Sequence, residues 1–495
     1  MIDLLSLPSA DEWWRLVIVV PAVMAMILAG EGARVLFHLP SEFTRKFVHI
    51  SVGLLIFCAP WIFTSAIPAM ALAVLFIVMN TVAVKLGLFK SMHGTSRVTY
   101  GTVYYPLAFL ILILLFWRAA PMILALSMLV LALADAAAAI VGETVRRPVT
   151  YRLSSDKKSV QGSIAYAVTA AVVLILGLVW YPSELSIELP QAALVAFVAA
   201  IVATGWEALS SRGLDNLTVP LSTAFVLSCY LVPSLGCDPL QFTLGAGLAL
   251  AVAAASLKAR FLAPSGSVAT FLLAVVVFGV GGWKWSVPIL IFFVLSSLLS
   301  KVGSAKKRAT SDLHEKGSTR DYAQVFANGG IPGIVVFASV VVPAFDWYPI
   351  YLGAVAAVTA DTWGTEIGMM TKGRTVLITT FRPVARGSNG GVSVRGFLGA
   401  TAGASLIGMS ALAWGISAVT AGVLAAAGVI GSVVDSIAGA TVQARYRCSV
   451  CSKVTEKRMH CGSPSVHAGG MRWISNDAVN WLCAASGALA ASLLV

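Results

Sequence analysis

Apolar segments of about twenty residues recur along the whole chain, and this repetition restricts the folds open to it more than any other feature. A helix of about 20 apolar residues has the length that crosses the hydrocarbon core of a bilayer. Of the 495 residues, 58% are hydrophobic and 11% are charged, whereas soluble domains are about 25% charged. The sequence therefore predicts an all-α polytopic membrane protein, with about sixteen transmembrane helices arranged in two fused helical-bundle halves.

Basic residues fall in every second predicted loop. Arg15, Arg118 and Lys284 are the exceptions among the 34 Lys and Arg residues. Because short loops rich in Lys and Arg stay on the cytoplasmic side, we expect the basic loops to be cytoplasmic and both chain termini to lie outside. The net charge of +12 then reflects membrane orientation, and it does not indicate a nucleic-acid partner.

Four aspartates lie at or just beyond the predicted cytoplasmic ends of apolar segments. They are Asp135, Asp215, Asp361 and Asp435. An ionised carboxylate in hydrocarbon is costly, so it usually faces a cavity, a cation or a polar partner. Each aspartate by itself could be a solvated helix end. Together with lysines and glycines on the same face, the four favour chemistry that faces the cytosol, whereas a transporter would bind its substrate near the bilayer midplane.

The first half contains three polar motifs in order. The segment ADAAAAIVG contains Asp135 and Gly142, DKKSVQG spans Asp156 to Gly162, and GLDNLTVP contains Asp215 and Asn216. Carboxylates bind divalent cations, lysines contact phosphates, and glycines allow close approach of the backbone. This set of residues predicts nucleotide-dependent phosphoryl transfer at the membrane surface.

Together with RKFVHISVG at 45–53 and RVTYGTVYYPLA at 97–108, these motifs resemble the phytol kinase and dolichol kinase family over about residues 40–235. The resemblance implies a CTP-dependent polyprenol kinase domain at 1–238, with Mg²⁺ held by Asp135 and Asp215. It implies phosphate contacts from Gly142, Lys157, Lys158, Ser159, Gly162 and Asn216. Gln161 replaces a glutamate that the family usually has, which puts a metal or base role there in doubt. His49 is either catalytic or structural.

The second half repeats this logic with different motifs. SKVGSAKK at 300–307, RDYAQVFANGGIPG at 320–333, ADTWGTEIG at 360–368, GSNGGVS at 387–393 and GSVVDSIAGATVQARY at 431–446 resemble the integral membrane family that includes phytyl-phosphate kinase. The resemblance spans about residues 241–495 and implies a prenyl-phosphate kinase domain at 239–495. It implies catalytic Asp361 and Asp435, with Mg²⁺ at Asp361. The implied nucleotide or phosphate contacts are Lys306, Lys307, Asn328, Glu366 and Asn389.

The predicted cytoplasmic loop at 441–477 is rich in cysteine and histidine. Cys448 and Cys451 are separated by two residues, and His460, Cys461 and His467 follow. Thiolate and imidazole groups are the usual ligands of tetrahedral Zn²⁺, and thiols on a reducing face bind metal or stay free more often than they form disulfides. The sequence leaves both open: a zinc site that uses Cys448, Cys451 and Cys461, or reduced cysteines without a ligand.

The two resemblances combine into one predicted function. The chain would be a bifunctional membrane kinase that converts an isoprenoid alcohol, such as phytol, geranylgeraniol or farnesol, to the monophosphate and then to the diphosphate. CTP or another nucleoside triphosphate would supply the phosphate. A CTP-dependent cytidylyltransferase, which makes a CDP-lipid, is an alternative that transfer of labelled γ-phosphate to the lipid would exclude. A non-enzymatic lipid transporter is a second alternative, which predicts no nucleotide turnover.

The charge pattern makes a testable prediction about topology. A reporter fused after Val495 should behave as non-cytoplasmic, because the basic loops fix the opposite face in the cytoplasm. Cysteines introduced near Asp156 and Ser388 should react with impermeant reagents only from the cytoplasmic side. Labelling of either loop from outside would contradict the predicted orientation.

Overall fold

The structure is a computed structural model that describes residues 7–38, 41–86, 99–180, 187–302, 319–371 and 373–495. The chain divides into two compact units, Met1–Gly236 and Cys237–Val495. Both units consist mainly of long helices.

The first unit is built around helix α5, whose residues from Met122 to Ala136 are almost all buried. Helices α2, α4, α6 and α8 pack against it. A short antiparallel pair of strands, β1 and β2, joins α5 to α6. The elements are α1 (Ala10–Phe37), α2 (Ser41–Phe57), a single turn (Ala59–Ile62), α3 (Ala66–Leu86), α4 (Gly101–Phe116), α5 (Pro121–Thr144), β1 (Thr150–Tyr151), β2 (Lys158–Ser159), α6 (Val160–Trp180), α7 (Leu189–Leu209), α8 (Asp215–Leu231) and a 3₁₀ turn (Pro233–Leu235).

A buried glutamate attaches α1 to the loop before α3. Ser9 caps α1, and its backbone N–H donates to the Glu12 carboxylate. The other Glu12 oxygen accepts hydrogen bonds from the backbone N–H groups of Thr64 and Ser65, each at 2.7 Å. Hydrogen bonds from several donors satisfy a carboxylate that is otherwise expensive to bury. These bonds fix α1 beside the helices that follow it.

Two glycines let the start of α4 touch the turn before α8. The Tyr100 N–H donates to the Arg212 carbonyl at 3.1 Å. Gly213 has a φ of +83°, and a Cβ placed on it would lie 2.5 Å from the Gly101 nitrogen. A side chain at position 213 would therefore meet both backbone strain and a collision. This contact brings two polar segments of the first unit together.

Helix α12 forms the core of the second unit, with α10, α11, α13, α14 and α15 packed around it. Its first half, from Tyr348 to Ala360, is almost entirely buried. The elements are α9 (Pro239–Lys258), α10 (Pro264–Val302), α11 (Tyr322–Val341), α12 (Tyr348–Met370), β3 (Val376–Leu377), β4 (Gly391–Val392), α13 (Val394–Ser410), a 3₁₀ turn (Ala411–Trp414), α14 (Ala418–Thr441), β5 (Arg445–Cys448), β6 (Val454–Thr455), β7 (Met459–His460), β8 (Ser463–Gly469) and α15 (Asn476–Leu494).

Helix α10 is two helices joined at Gly282, which has a φ of 61° and a ψ of −161°. Leu273, before the break, reaches the position of Gly329 in α11. Phe292, after the break, lies under the guanidinium of Arg320, just before α11 begins. Leu273 and Phe292 also line one small cavity together, so the two halves lie side by side and the chain reverses direction at Gly282.

The last four strands of the second unit, β5 to β8, form a compact module between α14 and α15. Its four strands are antiparallel, in the order β6-β5-β8-β7. The Ala444 N–H donates to the Ile474 carbonyl at 2.9 Å, and the Met471 N–H donates to the Val442 carbonyl at 2.8 Å. These bonds join the two ends of the module, which we call the Cys/His module. This sheet was not predicted from the sequence.

The helices confirm the predicted class of fold. Within the described ranges, eleven helices are long and apolar enough to cross a membrane, with α10 counted once, and α4 is a shorter apolar helix. The protein is therefore an all-α polytopic membrane protein with a small β module. The predicted number of about sixteen spans and the outside location of the termini are not confirmed.

The contact at Gly213 can be tested with a matched pair of variants. Gly213→Ala and Gly236→Ala both place an alanine at a positive φ, which costs about 1–2 kcal/mol. Only the new methyl at 213 collides with another segment, since no atom lies within 4 Å of a Cβ at 236. We expect Gly213→Ala to lower the free energy of unfolding by a further ~1–3 kcal/mol. Thermal unfolding of the purified protein should show this loss as a lower Tm than that of Gly236→Ala. Equal Tm values for the two variants would contradict the close approach.

Candidate functional site

The first unit contains a cavity of about 670 Å³. Most of its wall is apolar and comes from α1, α2, α3 and α4, with residues such as Val23, Leu55, Leu72 and Phe109. Its polar residues gather where α2, α4 and α8 begin. They include Arg45, Lys46, His49, Thr99, Thr102, Asp135, Asp156, Arg212, Asp215 and Asn216, and Glu31, Thr44 and Asn80 line the cavity as well. The cavity is thus a long apolar chamber with one charged end.

Asp135 is paired with a cation at this end of the cavity. The Lys46 ammonium donates to the Asp135 carboxylate. His49 Nε2 lies 3.7 Å from the same carboxylate oxygen and 3.4 Å from the Leu131 carbonyl. The His49 ring packs edge-on against Tyr105, with ring centroids 5.0 Å apart. The carboxylate therefore faces two basic side chains at the cavity and is not exposed to hydrocarbon.

Two further carboxylates line the same charged end. Asp215 begins α8, and its side chain accepts a hydrogen bond from the Asn216 N–H at 3.1 Å. Asp156 accepts from the Arg212 N–H at 3.0 Å. The structure thus brings Asp135 and Asp215, the two residues predicted to hold Mg²⁺, to one cavity, and adds Asp156 beside them.

Lys158 forms an ion pair with Glu207 of α7. The Lys158 ammonium lies 2.6 Å from a Glu207 carboxylate oxygen. Burial lowers the pKa of Lys158, but the nearby carboxylates of Glu207, Asp215 and Asp135 together outweigh burial and raise this pKa above its usual value. The second Glu207 oxygen is buried and has no hydrogen-bond partner in the part of the chain that the structure describes. A buried oxygen without a donor is costly and is a suitable ligand for a cation.

Ser159 lies close to both Gly142 and Gly162, the two glycines predicted to contact phosphate. The Gly162 N–H donates to Ser159 Oγ at 3.1 Å. A Cβ at Gly142 would approach the same oxygen to 3.0 Å. Lys157 is exposed. Gln161 accepts a hydrogen bond from the Val149 N–H at 3.0 Å, a backbone contact that needs no negative charge.

All five motifs quoted for the first half supply residues to this site, which we call the first site. Several charged residues in or beside it were not among the predicted site residues, among them Arg45, Lys46, Asp156, Glu207 and Arg212. A signal for Glu207 was present, because it is an acidic residue in an otherwise apolar helix, the same criterion that identified Asp135. Lys46 carried no such signal, since basic residues near helix ends also set membrane topology.

The second unit brings Asp361 and Asp435 together. Asp361 lies in α12 and Asp435 in α14, and their carboxyl groups hydrogen-bond to each other. Two carboxylates this close repel, so the pair shares a proton or holds a cation. Within the described ranges, Asp435 Oδ2 is buried without a hydrogen-bond partner. This pair, which we call the second site, is a candidate for cation binding.

Two other segments approach the second site. A Cβ at Gly390, next to the predicted Asn389, would lie 2.6 Å from the carbonyl oxygen of Ser436, the residue after Asp435. Glu456, from the Cys/His module, is close enough to Asp435 to interact with its charge. Glu456 also accepts a hydrogen bond from the Gln443 side chain at 2.8 Å.

The remaining predicted residues of the second half are spread more widely. Glu366 accepts a hydrogen bond from Ser300 at 2.7 Å. The Asn328 amide donates to the Gln324 carbonyl in its own helix and lines a cavity of about 60 Å³, which neither Asp361 nor Asp435 lines. Lys306 and Lys307 lie outside the described residues.

The three predicted zinc ligands, Cys448, Cys451 and Cys461, converge with a fourth residue, His460. Their ligand atoms all lie within 4.8 Å of one another. His467 is elsewhere in the module, where its ring packs edge-on against Tyr446.

Comparison with known proteins finds a matching family model and several relatives of known sequence. Residues 247–488 match the model of the integral membrane protein family DUF92. Protein PGR of Arabidopsis thaliana is 31% identical over 257 residues, which are 47% of this chain and 88% of that protein. An uncharacterized membrane protein of Methanocaldococcus jannaschii is 35% identical over 186 residues, 37% of this chain and 75% of its own.

A phytol kinase of a Synechocystis species is 32% identical over 206 residues, which are 40% of this chain and 85% of that enzyme. No solved structure matches the chain. On these likenesses the chain belongs to the phytol kinase family and to the integral membrane family DUF92.

Proposed function

We propose that the protein is a bifunctional membrane kinase, which phosphorylates an isoprenoid alcohol in the first unit and the resulting prenyl monophosphate in the second. The observation that carries the proposal is the shape and chemistry of the first cavity, apolar along four helices and charged at one end. The kinship with phytol kinase supports phosphoryl transfer as the reaction.

The apolar part of the cavity suits a substrate with a long hydrocarbon tail. Its volume of about 670 Å³ is within the range of sites that enclose a whole small ligand, about 300–1,000 Å³. An isoprenoid alcohol would bury its tail between α1 and α4 and place its hydroxyl beside Asp135 and His49. Apolar walls around the tail would limit water near the hydroxyl, which favours transfer of the phosphoryl group to the alcohol rather than to water.

The charged end suits a nucleoside triphosphate. Arg45, Lys46 and Arg212 supply positive charge for the phosphates. Asp135 and Asp215 line this end, and the Glu207 carboxylate is close enough to interact with the charges of both. Carboxylate oxygens suit Mg²⁺, which would neutralise phosphate charge. The alcohol oxygen would form a bond to the γ-phosphorus while the bond to the β-phosphate oxygen breaks, and a nucleoside diphosphate leaves. Asp135 or His49 would accept the hydroxyl proton.

The second step would occur at Asp361 and Asp435. The unsatisfied oxygen of Asp435 fits Mg²⁺ by the same chemistry, and the acceptor would be an oxygen of the prenyl monophosphate. This acceptor is already anionic, so the site requires charge neutralisation more than a base. CTP or another nucleoside triphosphate would be the donor of this step, and Lys306 and Lys307 are proposed as phosphate contacts of this unit.

The tail-binding role of the cavity can be tested on one helix. Ala73 lines the cavity and is 2% exposed, whereas its neighbour Val74 is 47% exposed and does not line it. Ala73→Trp should fill the chamber and lower kcat/KM for geranylgeraniol at least about tenfold, the equivalent of about 1.4 kcal/mol. The shorter alcohol geraniol should lose less activity.

Val74→Trp is the matched control and should leave both alcohols unaffected. Equal losses for the two alcohols in Ala73→Trp, or the same losses in Val74→Trp, would contradict a tail in this cavity.

The division of labour can be tested with two isosteric variants. Asp135→Asn should abolish phosphorylation of the alcohol, by about a hundredfold or more, but should still convert supplied prenyl monophosphate to diphosphate. Asp361→Asn should do the reverse, so that monophosphate accumulates. The assay follows γ-phosphate label into lipids that are separated by phosphate count.

The outcomes separate the hypotheses. Loss of both steps in either folded variant would indicate one composite site, and loss of neither would remove both aspartates from catalysis. Label that never enters the lipid, together with CDP-lipid formation, would favour a cytidylyltransferase.

A further inference from the structure

We propose that Cys448, Cys451, His460 and Cys461 form a closed structural Zn²⁺ site that holds the Cys/His module together beside the second site. This proposal rests on the geometry of the module and does not depend on the kinase reaction.

The spacing of the four ligand atoms matches tetrahedral zinc. With Zn–S near 2.3 Å and Zn–N near 2.0–2.1 Å, ligand sulfurs lie about 3.8 Å apart and a sulfur and a nitrogen about 3.6 Å apart. His460 Nδ1 lies 3.5 Å from Cys451 Sγ and 3.2 Å from Cys461 Sγ. All four ligand atoms fall within 4.8 Å of one another. An ion could therefore bind with only small movements of the side chains.

The backbone of the module directs the thiols toward one point. The N–H groups of Val450 and Cys451 donate to Cys448 Sγ at 3.4 and 3.5 Å, so the turn after Cys448 holds this sulfur in place. Ser452 and Cys461 have φ values of 57° and 52°. Residues other than glycine rarely adopt this conformation, and it persists only where the surrounding structure enforces it. Here it turns the chain sharply beside each pair of ligands.

The chemistry of the ligand set favours zinc over other ions. Three cysteines and one histidine are a common structural zinc set, and four protein ligands leave no open position for catalysis. The module has only short strands of two to seven residues and a small core of side chains such as Tyr446 and Thr455. Below about 40 residues, domains usually need a metal, a disulfide or a partner.

The module also connects to the second site. Gln443, at its base, donates to Glu456, and Glu456 is near Asp435. Glu456 lies in the chain between the ligands Cys451 and His460. A zinc ion that fixes both ligands would therefore restrict Glu456, which makes the ion a positioning element for the second site.

The test uses the full-length purified protein and zinc itself. Elemental analysis should give about one zinc per chain. Thiol reagents should modify Cys451 and Cys461, although both are exposed, only after a strong chelator removes the metal. His460→Ala should lose most of the zinc, whereas the matched control His467→Ala, in the same module, should retain it.

Three results would overturn the proposal. The first is purified protein without stoichiometric zinc, including protein that holds iron instead. The second is that the thiols react equally fast with and without chelator. The third is equal zinc content in His460→Ala and His467→Ala. If His460→Ala does not fold, release of one zinc per chain during thiol titration of the unmodified protein decides the matter by itself.

Discussion

The ion pair between Lys46 and Asp135 is the interaction on which the first unit depends. A carboxylate in the middle of the apolar helix α5 would be costly in hydrocarbon, and a cationic partner from α2 offsets that cost. The pair fixes α2 against α5, the most buried helix of the unit. Because α2 also forms a wall of the cavity, the same contact that stabilises the charge determines where the chamber ends and its polar groups begin.

The second unit meets the same physical problem without a basic partner for its carboxyl pair among the contacts described. Asp361 and Asp435 face each other, and an oxygen of Asp435 has no donor in the described ranges. A like-charged pair can exist there only with a shared proton or a cation. The first site therefore has its own counterion, whereas the second depends on something supplied from solution.

The sequence predicted site residues best where a charged residue interrupts an apolar segment. Asp135, Asp361 and Asp435 were identifiable because a carboxylate in an apolar segment usually has a functional role. The glycine and lysine motifs indicated which other segments belong to the same site. Spatial partners were harder to predict, because they depend on helix packing. Lys46 is 89 residues from Asp135 in sequence, and Glu207 meets Lys158 across 49 residues. The four-stranded sheet was missed because its strands are too short to show an alternating pattern. Only the folded positions of the two histidines of the module show that His460, and not His467, lies beside the three cysteines.

The sequence separation of the Lys46–Asp135 pair has a consequence for the order of membrane insertion. A helix with an aspartate inside its apolar run enters a bilayer at a penalty, which reaches about 2.5–3.5 kcal/mol when the charge lies at the helix centre. Lys46 precedes Asp135 in the chain, so α2 has already left the ribosome when α5 emerges. If α2 is held nearby, the nascent α5 meets its counterion on entry and most of the penalty disappears. The order of α2 and α5 in the chain therefore matters for insertion. If α2 followed α5, the Asp135 carboxylate would have to enter the bilayer without Lys46.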